Sequence, residues 1–107
     1  MPKYLIQASY TAEGVKGLAK DGGTKRRQAV EAAIKSAGGR LETFYFAFGE
    51  HDAYIVIDAP DNASVAAASL AVNASGAVSA KTVVLLTPEE MDQAARKSVA
   101  YTPPGRG

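Results

Sequence analysis

The sequence contains no cysteine, which excludes disulfide staples, thiolate nucleophiles and cysteine metal sites. Tryptophan is also absent, and there is a single histidine, His51. One imidazole cannot build a His-rich zinc site within one subunit. Neither sign of charge dominates, because 12 Lys and Arg stand against 11 Asp and Glu for a formal net charge of +1. Such a balance carries no footprint for nucleic acid or for a membrane surface. No apolar run approaches the ~20 residues of a spanning helix. The N-terminus lacks the basic stretch and apolar core of a signal peptide. The expectation is a cytoplasmic protein with no nucleic-acid or membrane partner, no metal and no other cofactor.

What remains is ordinary for a globular chain: 107 residues, 47% hydrophobic and 21% charged, enough for one domain with one core. Tyr4 to Tyr10 is β-prone, with Tyr4, Ile6, Ala8 and Tyr10 on one face. The Gly-containing stretch from Thr11 to Gly23 reads as a loop with one helical turn near Val15 to Leu18. Thr24 stands at an N-cap position, and Ala29, Val30, Ala33, Ile34 and Ala37 recur at helical spacing before Gly38-Gly39 stops the helix. Arg40 to Phe48 and Ala53 to Asp58 read as a hairpin around Gly49-Glu50-His51-Asp52. In the first of these strands, strict alternation groups Leu41 with Thr43 and Tyr45. Asp61 caps an alanine-rich helix running to about Ser75, and Val78 to Leu86 forms a fourth strand. Thr87-Pro88-Glu89-Glu90 opens a last helix, ending near Ser98.

This order predicts an α+β domain over residues 1–99: a ferredoxin-like βαββαβ fold with two helices on one face of a four-stranded antiparallel sheet, plus a C-terminal helix. Residues 100–107 read as a flexible tail. The strands carry apolar residues on both faces, which a half-solvated sheet does not. Tyr4, Ile6, Tyr45, Tyr54, Val56 and Val84 are assigned to the uncovered face. Burying several hundred Å² of such surface at roughly 25 cal/mol per Å² favours association. A symmetric homodimer, or a higher oligomer of this chain, answers that need. The competing arrangement folds the terminal helix back over the open face.

The chemistry candidates centre on the hairpin turn. Histidine is the side chain best suited to general acid or base work near neutral pH, so His51 and Asp52 are the candidate catalytic pair. As a plain turn, Gly49 would supply unusual backbone angles and Asp52 would accept backbone N–H bonds. Tyr4, Tyr45 and Tyr54, with Gly49 and His51, are the candidate ligand-binding residues, offering apolar walls and a few hydroxyls. Lys25-Arg26-Arg27 beside Gly22-Gly23 is either a solvated basic face or an anion site. Lys81 and Asp58 read as edge or pair-forming charges.

The run from Phe44 through Gly49-Glu50-His51-Asp52 to Ala59-Pro60-Asp61 resembles the signature region of the GYD domain family. That bacterial family is named for a Gly-x-Tyr-Asp turn between the two middle strands. Gly49 and Asp52 match the turn, whereas His51 stands where the family has tyrosine. Lys25-Arg26-Arg27 opening a helix, Gly38-Gly39 closing it, the alanine-rich helix, and Thr82 with Leu85-Leu86 resemble the family layout over roughly residues 3 to 95. The resemblance implies a dimeric α/β barrel and no assigned activity. The expected function is a homodimeric module binding a small molecule. The alternatives are a cofactor-independent enzyme of oxygenase or isomerase type using His51, and a purely structural or regulatory oligomer.

Overall fold

The computed structural model describes residues 1–106. In chain order it contains β1 (Lys3–Tyr10), α1 (Ala12–Asp21), α2 (Gly23–Ser36), β2 (Arg40–Phe46), β3 (Ala53–Asp58), α3 (Asn62–Ala74), β4 (Val78–Leu85) and α4 (Pro88–Ala95). The strands form one open sheet in the order β2-β3-β1-β4, with every neighbouring pair antiparallel. Among the described residues, no helix is long and apolar enough to cross a membrane.

The local signals at the helix ends act as their chemistry requires. The Asp61 side chain accepts from the Ser64 backbone N–H at 2.8 Å and starts α3. Thr87 and Glu90 close a reciprocal capping box at the start of α4. At the end of α2, Gly38 takes φ +84. The Gly39 N–H then reaches Ile34 O at 2.9 Å and the Gly38 N–H reaches Lys35 O at 3.0 Å. These two bonds satisfy carbonyls that the last turn leaves open.

The segment after β1 is a ten-residue helix rather than a loop with one turn. Glycines 14 and 17 obscured it, since glycine costs ~1 kcal/mol in a helix interior. Tertiary contact compensates. The Thr11 side chain caps α1, and its N–H donates to Ala77 O at 3.0 Å. Gly14 then lies so close to the residue before β4 that an added Cβ would sit 2.1 Å from Ala77 O, while Gly17 faces open space. Gly14→Ala should therefore destabilise the fold by about 1–3 kcal/mol by overpacking. Gly17→Ala should stabilise it by up to about 1 kcal/mol through helix propensity. Chemical denaturation of the two variants separates these signs, and equal effects would contradict this packing of α1. The second helix starts at Gly23, with Gly22 at φ +83 as its cap, so Thr24 lies inside the helix and not at its cap.

The strand register decides which sheet face is which, because directly paired residues share a face. Tyr4 pairs with Ile57 and Val84, and Ile6 with Ile55 and Thr82. Tyr4 is 2% exposed and its hydroxyl donates to Asn62 Oδ1 at the start of α3. Tyr4, Ile6 and Val84 are thus on the helix side, which corrects their assignment to the uncovered face. Tyr54 pairs instead with Gln7 and Tyr45, and Val56 with Leu5 and Thr43, on the opposite side. A β-bulge between Leu41 and Thr43 breaks the alternation of β2. It carries Leu41, Phe44 and Phe46 to the helix side, opposite Ile57, Ile55 and Ala53, and leaves Tyr45 on the open side.

The core lies between sheet and helices and includes Tyr4, Ala8, Ile34, Leu41, Ile55, Ile57 and Val65. Leu70 of α3 points away from it and is 72% exposed. The C-terminal helix does not cover the open face. It ends at Ala95 rather than near Ser98, buries no residue, and is exposed along with everything from 88 to 102. The tail is described as far as Arg106, where a turn brings the Arg106 N–H to Pro103 O at 3.2 Å. Gly107, the last residue of the expected tail, lies outside the described residues.

Candidate functional site

Two places in this fold bring chemistry-bearing side chains together, one on each face of the sheet.

On the helix side, α2 packs on β2 and α3 packs on β4. Between the two helices a cleft of about 140 Å³ opens down to the sheet. Its floor is Ile6, Ala8 and Ile55, with Val78, Ala80 and Thr82 from β4. Its walls are Ala29, Val30 and Ala33 of α2 and Val65, Ala68, Ser69 and Val72 of α3. Small side chains face one another across it, so the layers cannot close the gap that larger residues would fill. Ile6, central in the sheet, is only partly buried for that reason. Tyr10 and Arg26 stand at one end of the cleft. The Arg26 guanidinium lies 5.8 Å from the centroid of the Tyr10 ring, within cation–π range.

On the open side, His51, Tyr54 and Tyr45 gather at one end of the sheet. His51 meets the Tyr54 ring edge-to-face at 5.8 Å, and its Nδ1 lies 3.3 Å from Ser9 Oγ. Tyr45 sits directly across from Tyr54 and is 71% exposed. Asp52 is not with them. Its carboxylate accepts the Tyr10 backbone N–H at 2.8 Å, and its own N–H donates to Ala8 O at 2.8 Å. Its side chain thus acts as one more rung of the β1–β3 ladder. No hydrogen bond or ion pair joins His51 to Asp52 among the described residues. Gly49 does not take a positive φ, and a Cβ there would meet nothing within 4 Å. The turn therefore does not need glycine for its backbone. Of the expected ligand residues, Gly49, His51, Tyr45 and Tyr54 lie at or beside the open face, whereas Tyr4 is buried beneath α3.

At the other end of the open side, Asp58 is the buried charged residue, 4% exposed. Lys3 Nζ reaches it at 2.9 Å and Arg40 Nη2 at 2.8 Å, while Lys3 also contacts Glu42 at 3.1 Å. The hydrogen bond from Lys3, then that from Arg40, holds the Asp58 carboxyl below the usual carboxylate range, against the opposing effect of burial. A depressed folded-state pKa contributes stability above the unfolded value, and that stability is lost as pH falls through the folded one. Stability should therefore drop below about pH 4. The Asp61 cap, lowered by its bond from the Ser64 N–H, acts in the same window. Asp58→Asn should remove part of this acid sensitivity in urea titrations across pH 2–6. An unchanged slope would show that the pairing does not stabilise the fold.

The arginine at the cleft was legible only as part of a basic run. The structure separates that run: Lys25 pairs with Asp21 at 3.6 Å, Arg27 is exposed, and Arg26 turns onto Tyr10. The small cleft residues were visible in sequence as alanines at helical spacing, but their role depends on what faces them.

The sequence model of the GYD domain matches residues 4–95. No curated protein and no solved structure gives a significant match.

Proposed function

The chain belongs to the GYD domain family, and on that premise we propose that it is a homodimeric, ferredoxin-like module that binds a small, largely apolar molecule. The observation that carries this reading is the cleft between α2, α3 and the sheet, whose lining is almost wholly apolar. Binding pockets combine such walls with a few placed polar groups, and here Tyr10, Arg26, Ser69 and Thr82 supply them. The dimer draws on the open face, where Leu5, Tyr54, Val56, Val83 and Leu85 have no helix above them. Two copies meeting there would complete an α/β barrel. A binding module is preferred to a catalyst because Asp52 is committed to the backbone of β1, and among the described residues His51 is hydrogen-bonded to Ser9 and to no carboxylate.

Toluene is the test ligand, since an apolar cavity of roughly 150 Å³ accepts a single aromatic ring. It should shift the methyl NMR signals of Ala8, Ala33 and Ala68 in a saturable way. Ala68→Phe, which fills the cleft, should abolish those shifts while the protein stays folded. Toluene without effect on these methyls would sink the reading.

A further inference from the structure

We propose that the cleft selects small carboxylic acids bearing one apolar ring or short chain, with Arg26 pairing the carboxylate. This inference rests on the cleft being a binding site and adds the charge of its ligand. The Arg26 Nε–H is fully enclosed and has no hydrogen-bond partner among the described residues. A buried donor left unsatisfied is costly, and for that reason rare in native structures. Here the unsatisfied donor belongs to a group that keeps its charge at every physiological pH.

The surroundings hold that charge in place without neutralising it. Tyr10 lies against the guanidinium and restricts it. Arg26 lines both the apolar cleft and a second depression of about 150 Å³ beneath α1, shared with Glu13, Gly14 and Asp21. It therefore stands where the two spaces adjoin. Neither nearby carboxylate comes within ion-pair distance of it; Asp21 pairs with Lys25 instead. The side edge of a guanidinium, Nε with one Nη, is shaped to bind a carboxylate through two parallel hydrogen bonds. A turn of the Arg26 side chain would bring that edge into the cleft, where a ligand with an anionic head and an apolar body would satisfy the donor and fill the space at once. The volume of about 140 Å³ limits that body to a single ring or a short branched chain.

Isothermal titration calorimetry with benzoate, benzamide and toluene tests this on the full chain. Wild-type protein should bind benzoate at least tenfold more tightly than benzamide, and added salt should weaken benzoate alone. Arg26→Gln should lose at least tenfold in benzoate affinity and keep its affinity for toluene. Arg26→Lys, which retains charge but not the two-bond geometry, should fall between. Thermal melts establish that each variant is folded, and the benzoate-to-benzamide ratio of the wild type decides the matter independently of any variant. Equal binding of benzoate and benzamide, or undiminished benzoate binding by Arg26→Gln, overturns the assignment of Arg26 while toluene binding keeps the cleft as a site. If toluene and benzoate both fail to bind the wild type, the cleft reading and this inference fall together.

Discussion

Tyr4→Ala is expected to destabilise the protein by about 3–5 kcal/mol, the usual cost of removing a large buried aromatic ring. The ring is 2% exposed on the helix side of the sheet, beside Ile57 of β3. Neighbours fixed in two central strands cannot collapse into the space it would leave. Such a loss is a large share of the ~5–15 kcal/mol that holds a typical domain together. Tyr4→Phe removes only the hydroxyl bonded to Asn62. Asn62 is exposed and can turn to water, so that change should cost about 0.5–1.5 kcal/mol. Urea denaturation of both variants gives the two numbers. A Tyr4→Ala cost below about 1 kcal/mol would return Tyr4 to the uncovered face and contradict the register.

Leu5→Glu is expected to weaken the proposed dimer by at least ~100-fold, roughly 3 kcal/mol of association energy. Leu5 lies on the open face between Val56 of β3 and Val83 of β4. In a face-to-face dimer the two-fold axis would bury two copies of this carboxylate, and unpaired buried charge is expensive. In a single chain the same glutamate would stay in water, so the monomer should keep its fold. Sedimentation equilibrium reads the association, and circular dichroism reads the fold. A wild-type protein that remains monomeric at high micromolar concentration, or a Leu5→Glu variant that dimerises normally, would sink the sheet-to-sheet arrangement.

The legible parts of the fold were those written in short-range chemistry. Asp61, Thr87 and Gly38 each act within a few residues of themselves, so their spacing was enough to place the end of α2 and the starts of α3 and α4. Periodicity also placed all four strands. It failed where a distant contact overruled it. α1 exists because Gly14 can approach Ala77, just before β4, a contact between residues far apart in the chain. The bulge in β2 reversed the partners of Leu41, and nothing in Arg40–Phe46 marks it. The candidate site was half visible. The aromatic residues and His51 stood out by type, and three of them do cluster on the open side. The cleft did not stand out, because alanine is unremarkable by type and makes a cavity only when small residues face it.

By itself the sequence determined the order and kind of most elements, the family, and a sheet apolar on both faces. Each depends on residue type and local spacing. The tertiary structure alone decided which face each strand residue occupies. A period of two sorts side chains into two sets and does not say which set meets the helices; only the pairing of Tyr4 with Ile57 and Val84 does. It also decided that α2 and α3 stand apart, and that of three consecutive basic residues only Arg26 lines the space between them. Those outcomes depend on distances between elements, which no local pattern encodes.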